Sequence, residues 1–159
     1  MIEFDTELSP LLKEKKGKEV TMTWHLYDSY DGNDTFWTDS NGLEMQERHT
    51  VRFSKSNISA NFYPVTSAIA TRSVPTAGTN ESSQPMLQVT VMTERSTGGA
   101  ADLTERATIE LIHERSSRNM STLEEPGNST KAPNKSKYWM QILEVNKGKS
   151  LQRMKQLIV

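Results

Sequence analysis

Val20-Thr21-Met22-Thr23-Trp24-His25-Leu26-Tyr27 sets a large apolar side chain at every second position. A period of two places Val20, Met22, Trp24 and Leu26 on one face of an extended chain, as in a half-buried strand. The same period recurs outward. Thr35-Phe36-Trp37-Thr38 is short, aromatic and β-branched, and Leu43-Glu44-Met45-Gln46 alternates toward Val51 and Phe53. Leu87 to Met92, Thr108 to His113 and Tyr138 to Val145 repeat the pattern. Ile58 to Ile69 is also extended, because Pro64 restricts Tyr63 to the β or polyproline region. About six or seven strands and hardly any helical period predict an all-β chain. Few strands are long enough to close a barrel, so antiparallel sheets in a sandwich are expected.

The connections carry their own signals. Asn41-Gly42 between two strands supplies the two positive φ angles of a type I′ turn, so Asp39, Asn41 and Gly42 are expected to shape a hairpin. Gly98-Gly99 is expected to break the chain as a glycine turn between strands, and a polar loop covers about residues 73–85. Residues 115–137 hold almost nothing apolar, which predicts a long, flexible polar loop. Leu151, Met154 and Ile158 approximate a helical stripe, although a final strand fits nearly as well. Residues 1–159 are expected to form one segment.

Composition narrows the chemistry. With 34% hydrophobic residues in 159, the core is lean, but 25% charged residues of both signs are not the balance of a disordered tail. Lys and Arg number 19 against 20 Asp and Glu, so no field attracts nucleic acid or an anionic membrane. No run of 18 apolar residues is present to cross a bilayer as a helix. The absence of cysteine removes disulfide scaffolds, thiolate metal sites and thiol catalysis.

Nucleophile, acid–base and metal patterns are missing as well. His25, His49 and His113 are scattered, with no spacing that gathers three or four zinc ligands, so no metal is expected on this chain. No Gly-x-Ser-x-Gly elbow or Gly-x-x-x-x-Gly-Lys loop occurs. The carboxylates between Asp28 and Glu47 show no pair marked as buried. The residues by themselves name no catalytic group.

Six of nine asparagines begin an Asn-x-Ser/Thr triplet: Asn33, Asn57, Asn80, Asn119, Asn128 and Asn134. These are candidate glycan acceptors and point to the secretory pathway. Met1-Ile2-Glu3-Phe4-Asp5 carries acid early and no apolar leader follows, so further sequence is expected before Met1.

Four segments together resemble glycoside hydrolase family 38, the retaining α-mannosidases of lysosome, Golgi and vacuole. Phe36 to Arg48 (Phe-Trp-Thr-Asp-Ser-Asn-Gly-Leu-Glu-Met-Gln-Glu-Arg) is similar to the family's Phe-Tyr-Thr-Asp-Ser-Asn-Gly hairpin. Asn61-Phe62-Tyr63-Pro64-Val65 is similar to Asn-Tyr-Tyr-Pro-Val. Leu87 to Gly99 resembles Thr-Val-Leu-Thr-Asp-Arg-Ser-Gln-Gly-Gly, and Ile109 to Arg115 resembles Glu-Leu-Met-Val-His-Arg-Arg. Order and spacing agree over about Gly17 to Arg115, and thinly from Tyr138 onward.

The resemblance implies a piece of the family's carboxy-terminal β-domain, a partial super-sandwich of the mutarotase-like kind. It implies hydrolysis of terminal non-reducing α-D-mannose with retention. Zinc, its ligands and the nucleophile would lie in an amino-terminal catalytic domain outside this chain, which alone is expected to be inactive. Partners would be that domain and mannose-containing glycans, with no nucleic acid and no membrane, in a lysosome or vacuole. Tyr63 corresponds to a family tyrosine that reaches the mannose pocket, and Pro64 would aim it. Arg95, Gly98 and Gly99 would shape a loop near the domain junction. After Arg115 the family's acidic and glycine-rich run is reduced to Glu125-Pro126. Two other readings remain: a freestanding β-sandwich carbohydrate-binding or adhesion module, and a non-catalytic structural fragment.

Overall fold

The computed structural model describes residues 1–9, 18–26, 34–51, 61–73, 86–103, 107–116 and 133–145. These form strands β1 (Ile2–Leu8), β2 (Lys18–His25), β3 (Thr35–Thr38), β4 (Gln46–His49) and β5 (Tyr63–Val65). They continue as β6 (Ala68–Arg72), β7 (Met86–Thr93), β8 (Thr97–Asp102), β9 (Thr108–Ser116) and β10 (Asn134–Val145). Among the described residues there is no helix.

The strands make two antiparallel sheets, one ordered β1-β10-β7-β6-β3-β4 and the other β2-β9-β8-β5. Neither closes into a barrel, and the chain is the all-β, sandwich-like fold that its alternation predicts. Phe36, Ile69, Val89, Val91 and Tyr138 face inward from the larger sheet. Trp24, Val65, Ala101, Ile109 and Leu111 meet them from the smaller one. Each fully buried large side chain here contributes about 1.5–3 kcal/mol relative to exposure. An aromatic chain crosses the gap: Trp24 stands edge-on to Phe4 and to Tyr138, at 6.0 and 5.3 Å between ring centroids.

Several local expectations are corrected. Gly98-Gly99 is no turn; both glycines lie inside β8, with Gly99 paired to Tyr63 on one side and Leu111 on the other. A Cβ on Gly99 would sit 2.7 Å from Val65 Cγ2 and 2.8 Å from Leu111 Cδ2. Glycine is there because side chains of the two strands beside it, Val65 of β5 and Leu111 of β9, close over the position and leave no room for another. Asn41-Gly42 does not make a type I′ turn either. Gly42 alone of the two has a positive φ, 71°, and the connection runs from Thr38 to Gln46. Asn41 instead caps the loop, its Oδ1 accepting from the backbone N–H groups of Leu43 (3.0 Å) and Glu44 (3.2 Å). The polar loop expected over 115–137 is shorter at both ends, because β9 runs to Ser116 and β10 begins at Asn134. Residues 117–132, Ile58 and the carboxy-terminal stripe at Leu151, Met154 and Ile158 lie outside the described residues.

Candidate functional site

Asp39 organises the edge where β3 and β4 meet β5. Its side chain is buried, 1% exposed, and accepts from the backbone N–H groups of Thr66 (3.0 Å), Ser67 (2.9 Å) and Ala68 (2.8 Å), and from the Ser67 hydroxyl. Three backbone donors converging on one carboxylate form an anion nest, which replaces the water lost on burial. The backbone adds two more ties: Asp39 N–H donates to Ala68 O (3.2 Å), and Asp39 O accepts from Thr66 N–H (3.0 Å). The hairpin after β3 is thereby fixed to the turn that joins β5 to β6.

Tyr63 opens β5, an edge strand, and its half-buried ring turns inward. The ring stands edge-on to Phe36, centroids 5.7 Å apart. Over it lies the Arg48 guanidinium, with Cζ 4.7 Å from the centroid. Arg48 is held there by donating from Nε to Thr38 Oγ1 (3.2 Å) and from Nη2 to Ser40 Oγ. The Tyr63 hydroxyl forms no hydrogen bond with any described residue. A phenol so placed can donate to or accept from a ligand hydroxyl. Pro64 is exposed and pairs with Gly98 on one side only, which blunts a free sheet edge.

Just before Tyr63, Asn61 takes a left-handed φ of 63°. Its side-chain amide brackets Val51, accepting from the backbone N–H (2.9 Å) and donating to the carbonyl (3.1 Å). The amide does the work of a strand neighbour and anchors the approach to β5 on the end of the β3–β4 hairpin. No local pattern around Asn61 signals this role, because its partner Val51 is brought to it only by the fold.

The expected residues therefore divide. Asp39, Asn41, Gly42, Pro64, Gly98 and Gly99 belong to the hairpin and strands around Tyr63. Arg95 does something else. It lies in the turn between β7 and β8, where Nη2 donates to His113 O (3.2 Å) and to Asn134 Oδ1 (2.7 Å), tying β9 to β10. Asn33, Asn57, Asn80, Asn119 and Asn128 lie outside the described residues. Asn134 is engaged: its Nδ2, the atom a glycan would take, donates to His113 O at 3.5 Å, and Ser136 of the same triplet is buried.

A buried polar pair escaped the sequence reading. His113 Nε2 lies 3.3 Å from Asn134 O, a pure acceptor, so Nε2 carries the proton. Nδ1 is then free to accept from the Tyr138 hydroxyl at 2.9 Å. Burial pushes the Tyr138 phenol above its ordinary value, with Arg95 opposing in part. This pair is structural cement between β9 and β10.

Among the described residues no group of three or more His, Asp or Glu side chains converges to hold a metal. These residues do not fit a zinc site. No protein-family model matches the chain, and no curated protein matches it.

Proposed function

We propose that this chain is a β-domain portion of a retaining α-mannosidase of the glycoside hydrolase family 38 type. In this reading a separate amino-terminal domain, with its zinc, cleaves terminal non-reducing α-D-mannose from glycans in a lysosome or vacuole. The chain supplies one wall of the mannose pocket. One observation supports the proposal: the Tyr63 ring is clamped between Phe36 and Arg48 while its hydroxyl bonds to no described residue. The clamp unites residues from two of the segments that resemble the family, and Gly99 from a third pairs with Tyr63. Rigid placement of a lone phenol is what a sugar-recognising group requires, since ordering is completed before the ligand arrives.

Chemically, Tyr63 would bind and orient and would take no part in proton transfer to the leaving group. The test is steady-state hydrolysis of an aryl α-mannoside by the full-length protein. Tyr63→Phe removes one hydrogen bond, about 0.5–1.5 kcal/mol, so kcat/KM should fall roughly 2- to 12-fold. An unchanged kcat/KM would count against Tyr63 as a pocket residue.

A further inference from the structure

Three asparagines fall among the described residues, Asn41, Asn61 and Asn134, and their amides are held differently. Asn61 is half-buried and uses both ends of its amide on Val51, accepting from the N–H at 2.9 Å and donating to the carbonyl at 3.1 Å. Asn134 is half-buried too; Oδ1 accepts from Arg95 Nη2 at 2.7 Å, and Nδ2 donates to His113 O at 3.5 Å. Asn41 is exposed and engaged at its oxygen alone. Its Nδ2 bonds to no described residue, and neither does the N–H of the following Gly42.

The engaged oxygen is the informative end. Asn41 Oδ1 accepts from the backbone N–H groups of Leu43 at 3.0 Å and Glu44 at 3.2 Å. Two N–H groups aimed at one carbonyl oxygen polarise Cγ and stabilise negative charge that develops on that oxygen, as donors do for the tetrahedral intermediate of acyl transfer. The nearest nucleophile along the chain is the Gly42 nitrogen, which closes a five-membered ring when it reaches Cγ. Glycine carries no side chain to crowd that approach and gives the backbone the freedom to make it.

We propose that Asn41 is a site of spontaneous covalent modification, where loss of ammonia through a cyclic imide yields an aspartyl or an isoaspartyl residue. A solvent base removes the Gly42 N–H proton, and the nitrogen lone pair forms a bond to Asn41 Cγ. The displaced electron pair moves onto Oδ1, held by Leu43 and Glu44, and returns as the Cγ–Nδ2 bond breaks. Nδ2 takes a proton from water and leaves as ammonia. Water then opens the ring: addition at Cγ gives aspartate, and addition at the main-chain carbonyl of residue 41 gives isoaspartate. The exchange is ammonia out and water in, with no change of oxidation state.

The position gives the change a consequence. Ser40, the preceding residue, accepts from Arg48, which lies 4.7 Å over the Tyr63 ring. Asp39 ties the same hairpin to the turn between β5 and β6. The aspartyl product keeps an acceptor at residue 41 and adds a negative charge. The isoaspartyl product routes the main chain through Cβ and Cγ, lengthens it by one carbon beside Ser40, and loosens the hold on Arg48. None of this depends on the mannosidase reading.

Incubation of the folded 159-residue chain in mildly alkaline buffer, followed by peptide mapping with fragmentation mass spectrometry, tests it. Residue 41 should gain the mass of an amide-to-acid exchange. It should convert about tenfold faster or more than Asn61 and Asn134, whose amide hydrogen bonds must break first. Aspartyl and isoaspartyl peptides should elute as two species of equal mass, the mark of a common cyclic imide. Asn41→Gln should stop the conversion, because its longer side chain would have to close a six-membered ring. The urea-unfolded chain, incubated in parallel, is the reference. Conversion at residue 41 in urea but not in the folded chain would mean that the fold protects the amide, and would overturn the proposal. No conversion in either form would overturn it as well, as would equal conversion at Asn61 or Asn134 in the folded chain. Aspartate without isoaspartate would indicate direct hydrolysis of the amide and count equally against it.

Discussion

The Arg48 guanidinium lies 4.7 Å above the Tyr63 ring while two hydroxyls of its own hairpin, on Thr38 and Ser40, hold it in place. Strand β4 thereby positions a residue of β5, although the two strands belong to different sheets. The hairpin is the brace and Tyr63 the part braced.

Arg48→Ala should lower the free energy of unfolding by about 1–2 kcal/mol, through loss of the cation–ring contact and of hydrogen bonding. Arg48→Lys should recover less than half of that, because an ammonium cannot reproduce the planar fork that serves ring and hydroxyls together. Urea denaturation of the two variants measures both.

Asp39→Ala should be among the most damaging single changes. It strips the acceptor from the Ser67 and Ala68 backbone N–H groups at the β5–β6 turn, whereas Thr66 N–H keeps the backbone oxygen of residue 39. Unpaired donors that stay buried cost about 1–3 kcal/mol each, so a loss of roughly 3 kcal/mol or more is expected in urea. Asp39→Asn keeps one acceptor oxygen and should lose less.

Gly99→Ala should destabilise by about 1–3 kcal/mol, the usual cost of overpacking a close contact. Gly98→Ala should cost less, since its new methyl meets at 2.9 Å only Ile112 Cδ1, the end of a flexible side chain. A comparison of the two melting temperatures by calorimetry separates them.

Tyr138 makes stability fall in alkali. Its phenol is raised in the folded state by burial, so folding favours the neutral form. That stabilisation is complete below the unfolded value near pH 10 and is lost as pH climbs through the higher folded value. Urea midpoints from about pH 8 to 11.5 should therefore decline above pH 10. Tyr138→Phe should flatten this alkaline decline.

Legibility followed the side chains. β2, β7 and β9 alternate apolar and polar residues, and their alternation is the signal of a sheet with one face on a core. β8 was invisible for the opposite reason: Gly98-Gly99-Ala100-Ala101 has almost no side chains to carry a period, and only close packing against Val65 and Leu111 makes it a strand. β1 also alternates, Ile2, Phe4, Thr6 and Leu8 against acids, but its apolar side chains are few and only partly buried, so its signal is weak. At the candidate site, Tyr63 and Pro64 are singled out in the sequence by a family resemblance and by no pattern of their own. The Asp39 nest carries no such signal, because its donors are backbone groups 27 to 29 residues away. The His113–Tyr138 pair likewise joins strands separated by a long polar run.

The mannosidase account is tested most directly by measuring aryl α-mannoside hydrolysis by the amino-terminal catalytic domain with and without this chain. The account predicts turnover only when the chain is supplied, reduced several-fold when it carries Tyr63→Phe. Equal turnover in its presence and absence would contradict it.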